Sequence, residues 1–126
     1  MKNNNCIFCN KNNVQILSES KLAYSIRDKF PVTTGHSLII TKRHVESFFD
    51  LTNNEILEIN ELLKKIKEEI LQEDKTVTGF NVGVNIGLSA GQSVFHVHVH
   101  LIPRRLGDIE NPKGGVRGII PNKRDY

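Results

Sequence analysis

The sequence predicts an α+β fold, in which five strands form a mostly antiparallel sheet and one long helix lies between the third and fourth strands. Two observations support this prediction. Five short apolar segments are bounded by polar or turn residues, and one stretch with helical periodicity separates them into groups of three and two. No internal repeat or low-complexity linker divides the 126 residues, so a single domain is expected.

The predicted strands, in chain order, are Val14–Leu17, Leu22–Ile26, Ser37–Thr41, Phe80–Asn85 and Val94–Ile102. The polar residues 18–21 join the first two strands and predict a hairpin. The third strand follows Gly35, and the fourth alternates between apolar and small or polar residues. The fifth is expected to stop at Pro103, because proline cannot donate a ladder hydrogen bond.

The predicted helix begins at a capping box, Thr52 to Glu55, in which each side chain can bond the other residue's main-chain amide. Apolar residues then recur at steps of three and four, at Ile56, Ile59, Leu62, Leu63, Ile66 and Ile70. The other face carries Glu58, Glu61, Lys65, Glu68 and Glu69, which is typical of a solvated surface. One apolar stripe is therefore expected to pack on the sheet.

Composition and charge exclude several classes of protein. No stretch approaches the roughly 20 apolar residues of a membrane helix, and the polar start Met1–Asn5 lacks a secretory signal, so the cytoplasm is the expected compartment. Two cysteines in a reducing compartment argue against a structural disulfide. The net charge of +3 suits a small anionic ligand, but no basic or aromatic-rich stretch supports nucleic-acid binding. Residues 107–126 are expected to form an extended tail of the single domain 1–126.

Three of the five histidines, His96, His98 and His100, alternate along the fifth predicted strand. Alternate residues of a strand share a face, so the three imidazoles are expected to point one way and the intervening apolar residues the other. Packing alone does not explain them, because each ring carries a polar nitrogen that must be satisfied. An unprotonated imidazole can act as nucleophile, base or metal ligand near neutral pH, and a protonated neighbour can stabilise anionic oxygens.

The loop before this strand, residues 85–93, suits phosphate binding. Its glycines let main-chain amides approach an anion, and Asn85, Gln92 and Ser93 supply neutral donors. No acidic cluster suited to a magnesium-phosphate site is evident in the sequence, so cationic help is expected from histidine or arginine. The alternative is an ordinary connection between two strands.

These residues together form a family signature. The segment 91–102, GQSVFHVHVHLI, resembles the His-φ-His-φ-His-φ-φ motif of the histidine triad (HIT) family, including the preceding Gly-Gln-Ser. Weaker matches follow the family's order at Asp28–His36, Leu38–His44 and Asn85–Gly87. The resemblance implies a HIT-like five-stranded antiparallel sheet with one long helix, paired across a two-fold axis into a homodimer.

The resemblance also implies an activity and roles for site residues. It implies nucleotidyl hydrolysis or transfer on nucleoside phosphoramidates or dinucleoside polyphosphates, with adenine preferred. His98 would be the nucleophile and would form a nucleotidyl-histidine intermediate. His100 would contact the attacked phosphate, Asn85 would bind phosphate, and Gln92 and Ser93 would meet the leaving group or bridging oxygen.

Asp28 and His36 are two further candidates for substrate binding. Asp28 lies where the family holds the ribose hydroxyls, and a carboxylate can accept from two adjacent hydroxyls. An aspartate shortly before Pro31 is equally explained by turn chemistry. The family pattern retains His36 near the nucleotide, but a lone histidine that opens an apolar strand more often has a structural role, and support rather than chemistry is expected.

Cys6 and Cys9 form a Cys-x-x-Cys pair, which can be half of a zinc site, a redox pair or two buried thiols. Nothing near this end of the chain resembles the βαβ unit of a thioredoxin-like motif. The resemblance implies that His44 and His96 complete a structural Cys₂His₂ zinc site with no position open to water. His96 would then anchor the strand, leaving His98 and His100 for phosphate.

The sequence leaves several points open. The segment Asn10–Asn13 is short and polar where many bacterial relatives wall the base pocket, so it does not indicate a base preference. Arg104, Arg105 and Arg117 could contact a distal phosphate or be solvated. Two other functions remain as alternatives: a non-catalytic nucleotide-binding or regulatory module with structural zinc, and a zinc-stabilised protein-interaction domain.

Overall fold

A computed structural model describes residues 5–126; of the polar start discussed above, residues 1–4 lie outside the described residues. One α-helix, α1, spans Asn53–Glu73. The strands are β1 (Ser18–Glu19), β2 (Ala23–Arg27), β3 (Ser37–Thr41), β4 (Val77–Gly83) and β5 (His98–Arg105). They form one antiparallel sheet in the order β1-β2-β3-β5-β4. The predicted α+β fold is confirmed. No helix in the described part of the chain is both long and apolar enough to cross a membrane.

The strand order places the histidine-bearing strand inside the sheet. From β3 the chain passes through α1 to β4 at the sheet edge. It then returns as β5, which lies between β3 and β4. His98 is paired with Ile40 of β3, and His100 is paired with Leu38 of β3 and with Gly83 of β4. Ladder hydrogen bonds to both neighbours therefore fix the main chain of β5, and with it the direction of each side chain.

The two faces of the sheet carry two different apolar clusters. The cluster between the sheet and α1 consists of Ala23, Ile39, Ile59, Leu62, Ile66, Ile70, Val77, Val99 and Leu101. The opposite face packs against the N-terminal loop, and the cluster between them consists of Cys6, Phe8, Tyr24, Ile26, Leu38 and Ile40. Because directly paired residues share a face, His98 and His100 lie on this second face, away from the helix.

The helix begins where the capping box predicts. The Thr52 hydroxyl accepts from the Glu55 amide at 3.1 Å, and the Glu55 carboxylate accepts from the Thr52 amide at 2.9 Å. The buried stripe differs from the predicted one: Ile56 is 41% exposed, whereas Glu55 is only 2% exposed. Arg43 explains the exchange, because its guanidinium donates to both Glu55 oxygens and compensates for the burial of the carboxylate.

The first predicted strand is wrong in position. Strand β1 lies at Ser18–Glu19, within the segment expected to be the turn, and the chain turns instead at residues 20–22, where Ser20 N–H donates to the Ala23 carbonyl at 2.8 Å. Val14 and Ile16 pack against the second cluster. The apolar residues that predict a strand here therefore lie in a loop and pack against this cluster.

The last two strands also differ from their predicted bounds. Strand β4 starts at Val77, soon after the helix, and has a register shift between Val77 and Gly79. Strand β5 starts at His98 rather than Val94, so His96 lies in a bend and not in the row of the other two histidines. It also continues through Pro103. At that position only β4 pairs with β5, because pairing with β3 ends at Leu101, and the missing N–H faces no strand.

Candidate functional site

A cavity of about 870 Å³ lies over the face of the sheet that carries His98 and His100. Six residues predicted from the sequence to act on substrate line it: Asp28, His36, Asn85, Ser93, His98 and His100. Much of the remaining wall is apolar and includes Phe8, Val14, Leu17, Ile26, Leu38 and Val94. Two further candidates, Gln92 and His96, are buried outside the lining. The cavity thus combines an apolar pocket with a polar group of histidines.

His98 is held in one orientation by its own main chain and by Phe8. Its Nδ1 lies 2.8 Å from the carbonyl oxygen of His96, and since a carbonyl only accepts, Nδ1 carries the proton and donates. The Phe8 ring packs edge-on at 5.0 Å between centroids. Neutral His98 therefore has its lone pair on Nε2, which makes no hydrogen bond within the described part of the chain. This is the arrangement a nucleophilic imidazole requires.

His36 and His100 form a hydrogen-bonded chain that begins at a main-chain amide. Val32 N–H donates to His36 Nδ1 at 3.0 Å, so neutral His36 carries its proton on Nε2. His36 Nε2 lies 2.9 Å from His100 Nδ1 and donates to it. His100 is therefore left with its proton on Nε2. A neutral donor, rather than a charged one, is positioned beside His98.

Burial supports this neutral state. It lowers the pKa of His100 to about 4, with the neighbouring His98 and His36 adding to the effect and Asp28 opposing it. Burial also lowers the pKa of His36, again against the carboxylate of Asp28. From the sequence, a protonated neighbour is expected to stabilise anionic oxygens. In the structure His100 would do so near neutral pH through an N–H of an uncharged ring.

The remaining polar groups of the cavity differ in how they are used. One oxygen of Asp28 accepts from the Phe30 amide at 2.9 Å, as expected of a turn residue, and the other lies 3.5 Å from His36 Nε2. Asp28 thus serves the turn and lines the cavity as well. The side chains of Asn85 and Ser93 are exposed in the cavity and make no hydrogen bond within the described residues, so both are available to a ligand.

Gln92 is positioned differently from its expected role. Its side chain is 4% exposed and all of its polar atoms are engaged with main chain. The Gly87 amide donates to Oε1 at 2.8 Å, and Nε2 donates to the carbonyls of Glu46 and Val94 at 2.8 and 3.2 Å. No part of the amide is left for a leaving group in this arrangement.

Cys6, Cys9, His44 and His96 come together beside the histidine strand, with their ligand atoms within 4.8 Å of one another. The Sγ to Nδ1 distances are 3.3 Å from Cys6 to His96, 3.5 Å from Cys9 to His96 and 3.2 Å from Cys9 to His44. Tetrahedral zinc, with bonds of about 2.3 Å to sulfur and 2.0 Å to nitrogen, separates such ligands by about 3.5 Å. These residues fit a zinc ion.

The proton on His96 supports the same conclusion. Its Nε2 donates to the carbonyl oxygen of Thr41 at 2.6 Å, which leaves the Nδ1 lone pair facing the two sulfurs. Burial lowers the pKa of His96 to about 4, so the ring is neutral as a ligand must be. Burial also raises the pKa of the Cys6 thiol. A metal ion is the partner that would favour its thiolate.

A second group, Asp28, His36 and His100, has the spacing of a metal site but not the protons for one. Metal binding through His36 Nε2 would place the ring proton on Nδ1. The Val32 amide already points its hydrogen at that atom. The two hydrogens would face each other, so this group fits a hydrogen-bonded chain and not a resident metal.

The arginines that the sequence left open have partners within the chain. Arg104 donates to Asp108 and to Asn81, and Arg105 donates to Asp74 and to the Thr34 carbonyl. Arg117 donates to the carbonyls of Lys123 and Arg124, and its guanidinium lies 4.8 Å from the centre of the Tyr126 ring. The contacts of Arg104 with Asp108 and those of Arg117 involve residues 107–126, which contain two short 3-10 helices, Gly115–Ile119 and Pro121–Lys123.

Sequence reasoning missed three contributors to the site. Phe8 packs between the metal-ligand cluster and His98, at 6.0 Å from His96 and 5.0 Å from His98 between ring centroids. The amide of Val32 and the carbonyl of Thr41 set the protons of two histidines. Phe8 lies inside the Cys-x-x-Cys motif, which could have suggested its place. Main-chain contacts leave no mark on residue type, so the other two had no signal.

Comparisons with known proteins agree on one family. The HIT domain family model matches residues 10–107. A 16.1 kDa HIT-like protein of Mycoplasma pneumoniae is 41% identical over 108 residues, which are 82% of this chain and 74% of that protein. The asymmetrical bis(5'-nucleosyl)-tetraphosphatase of Schizosaccharomyces pombe is 33% identical over 94 residues, covering 75% of this chain and 51% of that longer protein.

One solved structure with a similar fold contains a bound metal. The crystal structure of a Zn-bound histidine triad family protein from Mycobacterium smegmatis matches with a TM-score of 0.76 and 29% identity, over 85% of this chain and 80% of that one. The similarity extends over most of both chains.

Proposed function

Because the chain belongs to the HIT domain family, which matches residues 10–107, we propose that it is a nucleotidyl hydrolase or transferase with His98 as its nucleophile. Its substrates would be nucleoside phosphoramidates or dinucleoside polyphosphates. The observation that carries the proposal is the 2.8 Å contact between His98 Nδ1 and the His96 carbonyl, which leaves Nε2 without a hydrogen bond among the described residues. The S. pombe tetraphosphatase among the relatives adds support from similarity for the polyphosphate class.

The proposed reaction has two steps. The Nε2 lone pair of His98 attacks the α-phosphorus, an N–P bond forms, and the bond to the leaving group breaks with its electron pair. The leaving group takes up a proton that the Ser93 hydroxyl would relay from solvent, so that no alkoxide is left. Water or another acceptor then attacks phosphorus and gives up its proton to solvent. The N–P bond breaks, the nucleotide is released, and His98 regains its lone pair.

The donors around His98 would stabilise the charge that develops on the phosphoryl oxygens. His100 presents a neutral N–H because His36 holds its other nitrogen, and Asn85 adds an amide from the loop. Donors fixed before the reaction lower its barrier, with about 3 kcal/mol for a single donor in studied cases. Gln92, bound on all sides, would position the loop rather than touch the leaving group.

The apolar wall of the cavity would hold the nucleoside. Asp28 is our candidate for the ribose hydroxyls, since one of its oxygens is not used by the turn. Phe30 lines the cavity while 86% exposed, and an exposed aromatic ring offers a stacking surface to any base. Stacking would not distinguish adenine from other bases, and the adenine preference implied by the resemblance stays a prediction.

We also propose a structural zinc ion held by Cys6, Cys9, His44 and His96, which together offer four protein ligands and no position for substrate. The ion would supply stability at this corner of the fold. His96 would then act on the reaction only through its main-chain carbonyl, which fixes the proton of His98.

The test measures product release by chromatography from a panel of nucleoside phosphoramidates and dinucleoside polyphosphates with adenine or guanine bases. Wild type is compared with His98→Ala and with the control Gln72→Ala, which removes an exposed polar side chain of α1 outside the cavity. We expect nucleoside monophosphate release by wild type and a loss in His98→Ala of at least about 10⁴-fold, since the covalent route is removed.

Retention of turnover in His98→Ala would overturn the nucleophile assignment. No turnover of any panel member by wild type, together with nucleotide binding in calorimetry, would favour the non-catalytic binding module. The ratio of phosphoramidate to polyphosphate turnover would identify the substrate class. Transfer of the nucleotide to added phosphate or to water would distinguish phosphorolysis from hydrolysis.

A further inference from the structure

Gln92 joins two segments that are far apart in the sequence. Its carbonyl oxygen accepts from Gly87, inside the loop 85–93, and its NH₂ group donates to the carbonyl of Glu46, two residues after His44. The side chain is buried to 4% exposure, so water does not compete for these hydrogen bonds. One amide thus connects the candidate phosphate loop to the segment that carries a candidate metal ligand.

The segment 44–46 is tied to the histidine strand at a second point. The Val45 carbonyl accepts from the Val97 amide at 2.8 Å, between His96 and His98. Gln92 also donates to the Val94 carbonyl, on the same approach to β5. The metal-ligand segment, the loop and the start of the strand therefore meet at Gln92 and Val45, and neither contact uses a side chain of the cavity.

We propose that Gln92 is a positioning residue that couples the segment 44–46 to the loop 85–93. Through Gln92, an ordered conformation of the segment around His44 keeps Asn85 and Ser93 in place. The importance of this coupling for catalysis rests on the proposed function, because that function gives Asn85 and Ser93 their role. The coupling itself does not depend on turnover. Loss of order at His44 would loosen the loop through Gln92 without any change in the cavity's own side chains.

Amide hydrogen exchange of the full chain tests the coupling, read by mass spectrometry on peptides that cover residues 84–91. The variants are Gln92→Met, which removes all three hydrogen bonds, and Gln92→Glu, which keeps the acceptor for Gly87 and loses both donors. The matched control is Gln72→Met, the same change at an exposed glutamine of α1. His44→Ala is made in the wild-type and in the Gln92→Met background.

We expect His44→Ala to speed exchange in 84–91 on the order of tenfold when Gln92 is present, and by less than about twofold once Gln92→Met is in place. Gln92→Glu should behave like Gln92→Met in this cycle, and Gln72→Met should match wild type. Equal effects of His44→Ala in both backgrounds would overturn the proposal. A purely structural role for Gln92 would give such additive effects.

Two measurements keep the test decisive if Gln92→Met fails to fold. The same cycle with Gln92→Glu has the same expected and contrary results. In unmodified protein, the Gly87 amide should exchange at least about tenfold more slowly than the amides of its exposed neighbours Leu88 and Ser89, by nuclear magnetic resonance. Equal exchange at the three amides would overturn the proposal. Both readouts hold without turnover, so failure of the proposed function would be seen separately in the substrate panel.

Discussion

In His36, His98 and His100, the hydrogen bond at one ring nitrogen decides whether the other nitrogen carries a proton or a lone pair. His98 donates to a carbonyl and keeps a lone pair for attack. His36 accepts from the Val32 amide and donates to His100, which keeps a proton for a phosphate oxygen. Identical side chains are thus left with a lone pair in one case and an N–H in the other because their partners differ, which suits the proposed roles of nucleophile and donor.

The chain of hydrogen bonds through His36 leads to a prediction about two substitutions. His36→Gln can place an amide N–H near the former Nε2 and still donate to His100, so we expect kcat within about fivefold of wild type. His36→Phe fills the space without a donor, lets the proton of His100 move to Nδ1, and should lower kcat about a hundredfold. Steady-state kinetics on the best panel substrate measures both.

Circular dichroism and thermal unfolding serve as controls for folding in both variants. Wild-type kcat in His36→Phe would show that His100 needs no partner. Equal losses in the two variants would show that His36 contributes shape rather than a proton.

At the scale of elements, the site depends on how strand β5 and helix α1 are held. The strand lies between β3 and β4, so the main chain that directs His98 and His100 is paired on one side or both. The helix forms most of the connection from β3 to β4, and the capping box stabilises its first turn. The burial of Glu55, paired with Arg43 directly before His44, joins the helix start to the metal-ligand segment.

Substitutions at the helix start should separate the cap from the buried ion pair. We expect Thr52→Ala to lower the free energy of unfolding by about 1 kcal/mol, the cost of one lost cap. Glu55→Ala should cost more, about 2 kcal/mol, because it removes the other half of the capping box and the two hydrogen bonds that the carboxylate accepts from Arg43. Urea denaturation of each variant measures the change.

Glu61→Ala is the matched control for Glu55→Ala, since Glu61 is exposed on the same helix and its change should stay within about 0.5 kcal/mol. The pKa of Glu55 is lowered chiefly by its hydrogen bonds from Arg43. Similar costs for Glu55→Ala and Glu61→Ala would mean that the pair contributes nothing net.

Considered as a whole, the described molecule has a helix-backed core on one face of the sheet and a smaller cluster under the N-terminal loop on the other. The cavity borders the smaller cluster, which contains Cys6 and Phe8. A metal ion at the cysteines would tie this loop to His44 and His96 where apolar burial alone is limited. The homodimer implied by the family resemblance stays a prediction.

Metal removal should therefore destabilise the whole molecule. We expect stoichiometric zinc in protein purified without added metal, and a free energy of unfolding about 4 kcal/mol lower after chelation, as for free zinc near a thousandfold excess over its dissociation constant. Cys6→Ser should show the same loss and no further response to chelator. Elemental analysis and denaturation with and without chelator measure these effects. A wild-type curve unchanged by chelator, with no zinc found, would contradict the prediction.

The sequence by itself determined the α+β class, the capped helix and six of the residues that line the cavity, because periodicity, capping and the histidine spacing depend on local chemistry. It misplaced β1 and the start of β5, since apolar residues such as Val14 and Ile16 can pack on the core from a loop as well as from a strand.

Only the tertiary structure decided which nitrogen of each histidine carries a proton and that Gln92 faces main chain rather than the cavity. These outcomes depend on carbonyls and amides contributed by distant segments. Every residue carries the same main-chain groups, so residue type does not record where they will meet.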